Sequence, residues 1–426
     1  MQGTLNNVAD VLIHNISLLA TPQSADKARQ SNSVLRIPRA AILIQDGCIT
    51  DIGHEAEITA RSPAGIPRYN ANGYLATPGL VDCHTHPIFV GNRAAEFHQR
   101  NAGKTYLEIA AAGGGIQTSA RKLRDASPEQ LIQESLPRFH RSLTCGVTAI
   151  EGKSGYGLDW EGERKSLLAL REIGRQIPQH LFRTFLIHAL PSSYSDRRAD
   201  FVGDVIENMI PAVAHDKLSE SVDVFCETGA FTVDESRRFL TAAKNNGLSC
   251  MVHANQFGHS GGAFLAAEVG ARSAHHLEYL SDEEIRALAA AGTVGVVLPA
   301  SVFFLGNLPY PPARRMLELG MDVAIATDMN PGSAMTESLP FCMTAAAIYC
   351  KMTPEELLNS VTLNAAKVLD ADSQIGSLET GKCGDVALWN VPDLESLSYH
   401  FGELRAAAVF IAGRVVWKDN DATARY

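Results

Sequence analysis

Two histidines set one residue apart close the apolar run Thr77-Pro78-Gly79-Leu80-Val81-Asp82-Cys83-His84-Thr85-His86, and Pro87 ends it. In a β-strand, side chains at i and i+2 share a face, so His84 and His86 project together from a strand end. Two imidazoles held this way begin a zinc or iron site. A bare His-x-His also occurs on solvated strand faces, so the rest of the chain must decide. Ionisable groups recur at the ends of other apolar runs. Lys153 to Tyr156 follow the second run, His188 ends the third, Glu227 the fourth and His253 the fifth. His275 and His276 lie in the sixth, and Asp328 ends the eighth. Histidine supplies only 14 of 426 residues, so this recurrence points to side chains that converge.

The elements that must position these groups are short apolar runs alternating with helical patterns, which predicts a parallel sheet with crossover helices. The runs are Leu80–Cys83, Val147–Glu151, Phe182–Ala189, Val222–Glu227, Ser249–His253, Ser273–Leu277, Val294–Leu298 and Asp322–Thr327. Eight runs fit an α/β fold of the TIM-like (β/α)8 barrel type, whose active sites lie at the carboxyl ends of the strands. Four helix starts are marked by Ser127, Thr232, Ser281 and Thr353, each followed three residues later by Glu or Gln. That spacing lets side chain and backbone satisfy each other's exposed amides. Outside this middle, Asp10–Ser17, Ala40–Ile44, Gly47–Ile52, Asp385–Trp389, Ala407–Ile411 and Arg414–Trp417 read as short strands. Asp46-Gly47 and Ala412-Gly413 are the hairpin turns, and Thr21–Ser33 reads as a polar loop. Both termini are therefore expected to build one small β-sandwich, residues 1–76 with 376–426, around a barrel of residues 77–375.

Composition sets the outer bounds. A hydrophobic share of 46% with 20% charged residues suits a folded globular chain. The formal charge of −10 argues against nucleic acid or an anionic membrane as partner, since either favours a basic face. The eight cysteines include no Cys-x-x-Cys, which argues against zinc ribbons and favours reduced thiols. No basic segment followed by a continuous apolar core opens the chain, so no signal peptide is expected. The most hydrophobic window, Ala287–Leu305, is broken by Gly292, Gly295 and Pro299 and reads as helix, turn and strand. A cytoplasmic location is expected.

The quoted stretches resemble a known family. Pro78 to His86, with Val252-His253 and Ala326-Thr327-Asp328, is similar to the metal-dependent amidohydrolase superfamily. Gly91-Asn92-Arg93, Gly113 to Ile116, Lys153-Ser154-Gly155-Tyr156-Gly157, Asp223 to Glu227, Thr327 to Ser333 and Tyr399-His400-Phe401-Gly402 resemble the imidazolonepropionases within it. The resemblance implies a TIM-like barrel with a β-sandwich, a homodimer, and hydrolysis of 4-imidazolone-5-propanoate to N-formimidoyl-glutamate in histidine breakdown. It also implies one divalent metal, zinc ahead of iron, on His84, His86, His253 and Asp328.

Three imidazoles and a carboxylate leave room for a water whose pKa the metal lowers. Asp328 is then expected to move the water's proton to the leaving nitrogen. Absence of lysine from Phe185–Pro191 favours one metal over a carboxylate-bridged pair. His188 is expected to donate to the substrate carbonyl or developing oxyanion, and His276 to orient the water or stabilise the intermediate. By resemblance, Arg93 and Tyr156 contact the substrate, Arg93 being able to grip its carboxylate bidentately. Asn330 and Gly332, within the Thr327 to Ser333 stretch that carries the resemblance, are assigned to the substrate as well, and Gln256 to the reacting centre. The Gly113-Gly114-Gly115 stretch lacks the lysine of a phosphate loop and is expected to be a turn bordering the pocket.

The chain also departs from the pattern. Asn255 stands where an aspartate is usual, and His275 replaces the aspartate of Asp-His. If those positions face the ring, the substrate would be a related five-membered ring, hydantoin-like or thio-substituted, or the reaction would remove an amino or sulfur group. Gln256 cannot serve as the glutamate base that deaminases of the superfamily use, which weighs against that variant. A non-catalytic metal-binding homologue is the remote alternative.

Overall fold

The computed structural model describes residues 8–24, 33–104, 108 and 114–420. Residues 25–32 of the expected polar loop, and Gly113, lie outside the described residues.

Among the described residues, sixteen strands form two sheets. The first takes β1 (Val11–Pro22), β2 (Val34–Gln45), β3 (Cys48–His54), β4 (Arg68–Asn70) and β5 (Leu75–Pro78) from the N-terminal part. The C-terminal part adds β14 (Val386–Trp389), β15 (Ala408–Ile411) and β16 (Arg414–Lys418). Hydrogen bonds run in the order β16-β15-β14-β5-β1-β2-β3, with β4 beside β1. The two hairpins turn where expected. Asp46 and Gly47 both have positive φ (49° and 75°), as do Ala412 and Gly413 (47° and 79°), the twist that two-residue hairpins favour. β5 and β14 pair antiparallel, and the Trp389 indole donates to Thr77 Oγ1 at 2.9 Å across that junction. Alternate residues Val11, Ile13, Val386, Leu388 and Phe410 bury a core of this sheet's own.

The second sheet is the barrel. Its strands are β6 (Leu80–Asp82), β7 (Val147–Lys153), β8 (His180–Ile187) and β9 (Ser221–Cys226). They continue with β10 (Ser249–Ala254), β11 (Ser273–His276), β12 (Val294–Val297) and β13 (Val323–Ile325). Each pairs in parallel with the next in sequence order, so all eight expected runs are strands of one sheet. Helices cross between them, as right-handed parallel connections require. Three of the four anticipated helix starts, Thr232, Ser281 and Thr353, close as full capping boxes. At the fourth, Ser127 accepts from the Gln130 amide, while the Gln130 side chain donates to Glu134 instead of returning.

The seam between β13 and β6 closes through a bridge of Thr85 to Met329 and through Asp82, whose carboxylate accepts from the Thr327 amide and hydroxyl. Inside, Val81, Ala149, Met251, Val296 and Ala324 form an apolar layer, and Ala365, Ala366 and Val368 pack against the same layer. Further along the strands, two residues on at Glu151 and His253, three at His84 and four at Asp328, the lining becomes polar. That change of layer puts the chemistry at one mouth of the barrel. Among the described residues no helix is long and apolar enough to cross a membrane.

Candidate active site

The closed seam brings the first and last strand ends together. The Asp328 amide donates to the His84 carbonyl at 3.0 Å, and the His86 amide to the Met329 carbonyl at 2.9 Å. His84 Nε2 and His86 Nε2 are then 3.2 Å apart, and Asp328 Oδ1 lies 3.4 Å and 3.2 Å from them. His253, from β10, places its ring centroid 4.6 Å from that of His84. Two overlapping triads result, His84 with His86 and Asp328, and His84 with His253 and His276. The donor atoms within each triad all lie within 4.8 Å of one another. His276, expected to orient a water, thus reaches the same distance as the ligand candidates. Asp328 and His276 hold left-handed backbone, φ 54° and 74°, which turns their side chains back over the mouth.

Protonation suits this set to a cation. Burial drives the His84 imidazole well below its ordinary pKa and takes His253 down to about 4, so both offer bare nitrogens at neutral pH. Burial pushes the Asp328 carboxyl up, but the bond with His86 and the surrounding imidazoles outweigh it and keep the group ionised. Neutral imidazoles and one carboxylate are the donor chemistry of zinc or iron sites. The residues present fit a divalent metal.

Behind the donors lies a buried ionic row. Asp223 Oδ2 is 3.0 Å from His253 Nδ1 and 2.9 Å from Lys153 Nζ, and Lys153 pairs with Glu151 Oε1 at 2.6 Å. Glu151 also accepts from the Thr184 hydroxyl. Lys153 and both carboxylates are fully buried inside the barrel. Burial would discharge Lys153, yet the two carboxylates more than compensate and raise its pKa. Glu278 approaches His276 Nδ1 at 3.4 Å and holds that imidazole above its ordinary pKa against burial.

The wall of the pocket carries His188 and Tyr156. The His188 ring stacks 6.1 Å from His86 and meets Tyr156 edge-on at 5.7 Å. Its Nδ1 lies 3.0 Å from the Gly155 carbonyl, and burial lowers its pKa to about 3. A neutral ring that donates from Nδ1 carries its lone pair on Nε2. Glu163 accepts from the Gly155 and Leu158 amides, each at 2.6 Å, and so pins the loop bearing Tyr156. Arg93 is half-buried and bound to Glu96 Oε2 at 2.8 Å and 2.6 Å. A Cβ on Gly332 would stand 2.6 Å from Arg93 Nη1, so the absent side chain is what lets the guanidinium sit there. Asn330 spends its amide on the turn, donating to the Asp328 carbonyl and Ser333 Oγ and accepting from the Gly332 and Ser333 amides. It shapes the turn rather than presenting a free group. Gln256 is buried beside the mouth, and its backbone N–H donates to Glu227 Oε2 at 2.8 Å.

The profile of the Amidohydrolase family matches residues 75–416, most of the chain and every barrel strand. The chain belongs to the amidohydrolase family. Among members it is similar to imidazolonepropionase of Solibacter usitatus, 42% identical over 401 residues, 94% of this chain and 96% of that one. It is 40% identical to imidazolonepropionase of Fusobacterium nucleatum over 412 residues, 96% and 99% of the two chains. Among solved structures, atrazine chlorohydrolase from Arthrobacter aurescens complexed with zinc superposes with TM-score 0.72 at 18% identity, over 96% of this chain and 95% of that one. An adenosine deaminase from Xanthomonas campestris with bound zinc gives TM-score 0.70, 18% identity, and 96% and 93% coverage. At that identity the likeness extends to the fold alone.

Within this amidohydrolase the two departures from pattern face away from the pocket. Asn255 is fully buried; its Nδ2 donates to the Tyr279 carbonyl and to Glu284 Oε1, and Ser260 Oγ donates to its Oδ1. His275 sits behind His84, its Nδ1 2.6 Å from His84 Nδ1. Neither lines the space in front of the donor set. Sequence reasoning assigned no role to Lys153, Asp223, Glu151, Glu163 or Glu278. Lys153 and Asp223 lie inside quoted motifs, and an ionisable residue within an otherwise apolar barrel strand was the signal available.

Proposed function

We propose that this chain hydrolyses 4-imidazolone-5-propanoate to N-formimidoyl-L-glutamate, a step of histidine degradation, with one divalent metal, zinc ahead of iron. The observation that carries this reading is the meeting of His84, His86, His253 and Asp328 at one barrel mouth, in a chain aligned nearly end to end with imidazolonepropionases. Those four residues are assigned to the metal, with His276 as a further imidazole whose donor atom groups with His84 and His253. When bound, the metal supplies Lewis acidity that makes water a nucleophile at neutral pH and polarises the ring carbonyl.

The chain's own groups do the rest. Asp328, ionised in its buried setting, takes a proton from the attacking water and delivers it to the ring nitrogen as the C–N bond breaks. The water oxygen stays on the former ring carbonyl carbon, which becomes a carboxylate. His276, kept cationic more readily by Glu278, stabilises charge developing on that carbonyl oxygen. His188 Nε2 accepts from a ring N–H and so orients the ring. Arg93, with Tyr156 beside it, binds the propanoate, which Gly332 gives room to approach. Gln256 offers an amide to the ring but no base. A homodimer and a cytoplasmic location accompany this proposal; the eight cysteines are all free, in keeping with a reducing compartment.

The test is turnover of the metal-loaded chain on 4-imidazolone-5-propanoate, followed by loss of ring absorbance, with His84→Ala as control. A kcat/KM within about 10⁴–10⁸ M⁻¹s⁻¹, abolished in the control, is expected. Metal-loaded, folded protein without turnover would refute the assignment.

A further inference from the structure

The three candidate ligand histidines are braced in three different ways. His253 has a carboxylate, Asp223, 3.0 Å from its Nδ1, at ion-pair distance though outside hydrogen-bonding geometry. His86 Nδ1 is buried without a partner among the described residues. His84 has a second imidazole: its Nδ1 lies 2.6 Å from Nδ1 of His275, and His275 Nε2 lies 2.7 Å from Ser273 Oγ. His84, His275 and Ser273 are all fully buried, so no bulk water shares these contacts. β10 and β11 pair His253 directly against His275, which stacks the two rings at 22° and fixes where His275 stands.

Proton placement along this chain is determined step by step. The metal assignment proposed above requires a bare Nε2 on His84, the atom facing His86 and Asp328. A neutral imidazole carries one N–H, so the His84 proton sits on Nδ1 and points at His275. Nδ1 of His275 must then accept, which puts its own proton on Nε2, directed at the Ser273 oxygen. Both rings are fully buried, a setting that disfavours a charge on either. We propose that His275 is the acceptor that fixes His84 in its metal-binding tautomer, and that Ser273 fixes His275 in turn. This inference rests on the metal site of the preceding section.

The consequence is an electrostatic difference within one donor set. A carboxylate behind a ligand histidine makes that ring more basic, whereas a neutral imidazole only orients it. His84 is therefore held in direction without the extra negative charge that Asp223 lends His253. Partners of this kind change metal affinity by roughly 10–100-fold when removed.

The experiment strips the full-length chain of metal and titrates it with zinc(II) alone against a chromophoric chelator. Cobalt(II) spectra of the same proteins report the ligand geometry. His275→Leu, which fills the space but cannot accept, is expected to loosen zinc by about 10–100-fold and to alter the cobalt(II) spectrum. His275→Asn keeps an acceptor where Nδ1 stood and is expected to bind zinc within about threefold of the parent. Ser273→Ala is expected to loosen zinc in the parent background and to have no effect in the His275→Asn background, where the hydroxyl has no ring to hold. That pair keeps the proposal testable should His275→Leu fold poorly. Parent-like affinity in His275→Leu, or in Ser273→Ala, would overturn the proposal, because His275 would then only fill space. Loss of affinity in His275→Asn equal to that in His275→Leu would overturn it too. A parent chain that binds no zinc would instead overturn the metal site itself, and the inference with it.

Discussion

Replacing Lys153 with methionine removes the only cation from a row of fully buried charges. Lys153 Nζ stands 2.6 Å from Glu151 and 2.9 Å from Asp223, and methionine fills nearly the same volume without charge. Breaking a buried pair by deleting one partner costs about 3–5 kcal/mol. A second route reaches the same size. The barrel escapes an uncompensated carboxylate by protonating it, and raising Glu151 from about 4.3 to neutrality spans roughly 2.7 pH units at about 1.36 kcal/mol each, or about 3.7 kcal/mol. The two routes give different pH behaviour from a simple packing loss. In the variant a carboxyl is raised in the folded state above its unfolded value, so the folded chain binds a proton that the unfolded chain has released. The penalty is therefore absent below the unfolded pKa and grows as pH rises, by about 1.4 kcal/mol per unit. Urea unfolding of the metal-free parent and of Lys153→Met, followed by tryptophan fluorescence, measures it. The stability gap is expected to widen by about 2 kcal/mol between pH 5 and 6.5. A gap below about 1 kcal/mol, or one that is flat with pH, would refute the claim that Lys153 is the charge balancing this core.

Other expectations follow from single contacts. Gly332→Ala sets a methyl 2.6 Å from Arg93 Nη1, at the mobile end of a long side chain. The fold should tolerate it within about 0.5 kcal/mol, while KM for a carboxylate-bearing substrate rises and kcat changes little; an unchanged KM would remove Arg93 from the carboxylate site. His180 Nε2 meets Asp385 Oδ2 at 2.9 Å between the barrel and the terminal sheet, and this partner raises the imidazole's pKa against burial. A raised folded-state pKa stabilises below the unfolded value and is lost as pH climbs through the folded one. Asp385→Asn should therefore cost most near pH 6, on the order of 1–3 kcal/mol, and less at pH 9; a cost that grows with pH would contradict the pairing.

Much of the frame was legible before any coordinates. Each barrel strand was marked by a local apolar run, because strands buried on both faces cannot hide their composition. The hairpins at Asp46-Gly47 and Ala412-Gly413 were equally local, since left-handed backbone at two successive residues selects those sequences. His188 shows the limit of such reading. Its place at a strand end was foreseeable, but the partner of its Nδ1, the Gly155 carbonyl in the loop after β7, was not. The hydrogen bonds of Asn330 were hidden for a similar reason, as they close a turn that no linear pattern displays.

What the sequence determined by itself, then, is the alternation of strands and helices and the presence of ionisable groups at strand ends, because both follow from the two-residue period of a strand and from local turn chemistry. Which of those groups meet was decided by closure of the barrel. Only the seam between β13 and β6 sets Asp328 against His84 and His86. Only the curvature of the barrel pairs Lys153 of β7 with Asp223 of β9 across β8, and turns Asn255 and His275 behind the site. A side chain's identity is written locally, but its partner and its proton are set by contacts between residues far apart in the chain.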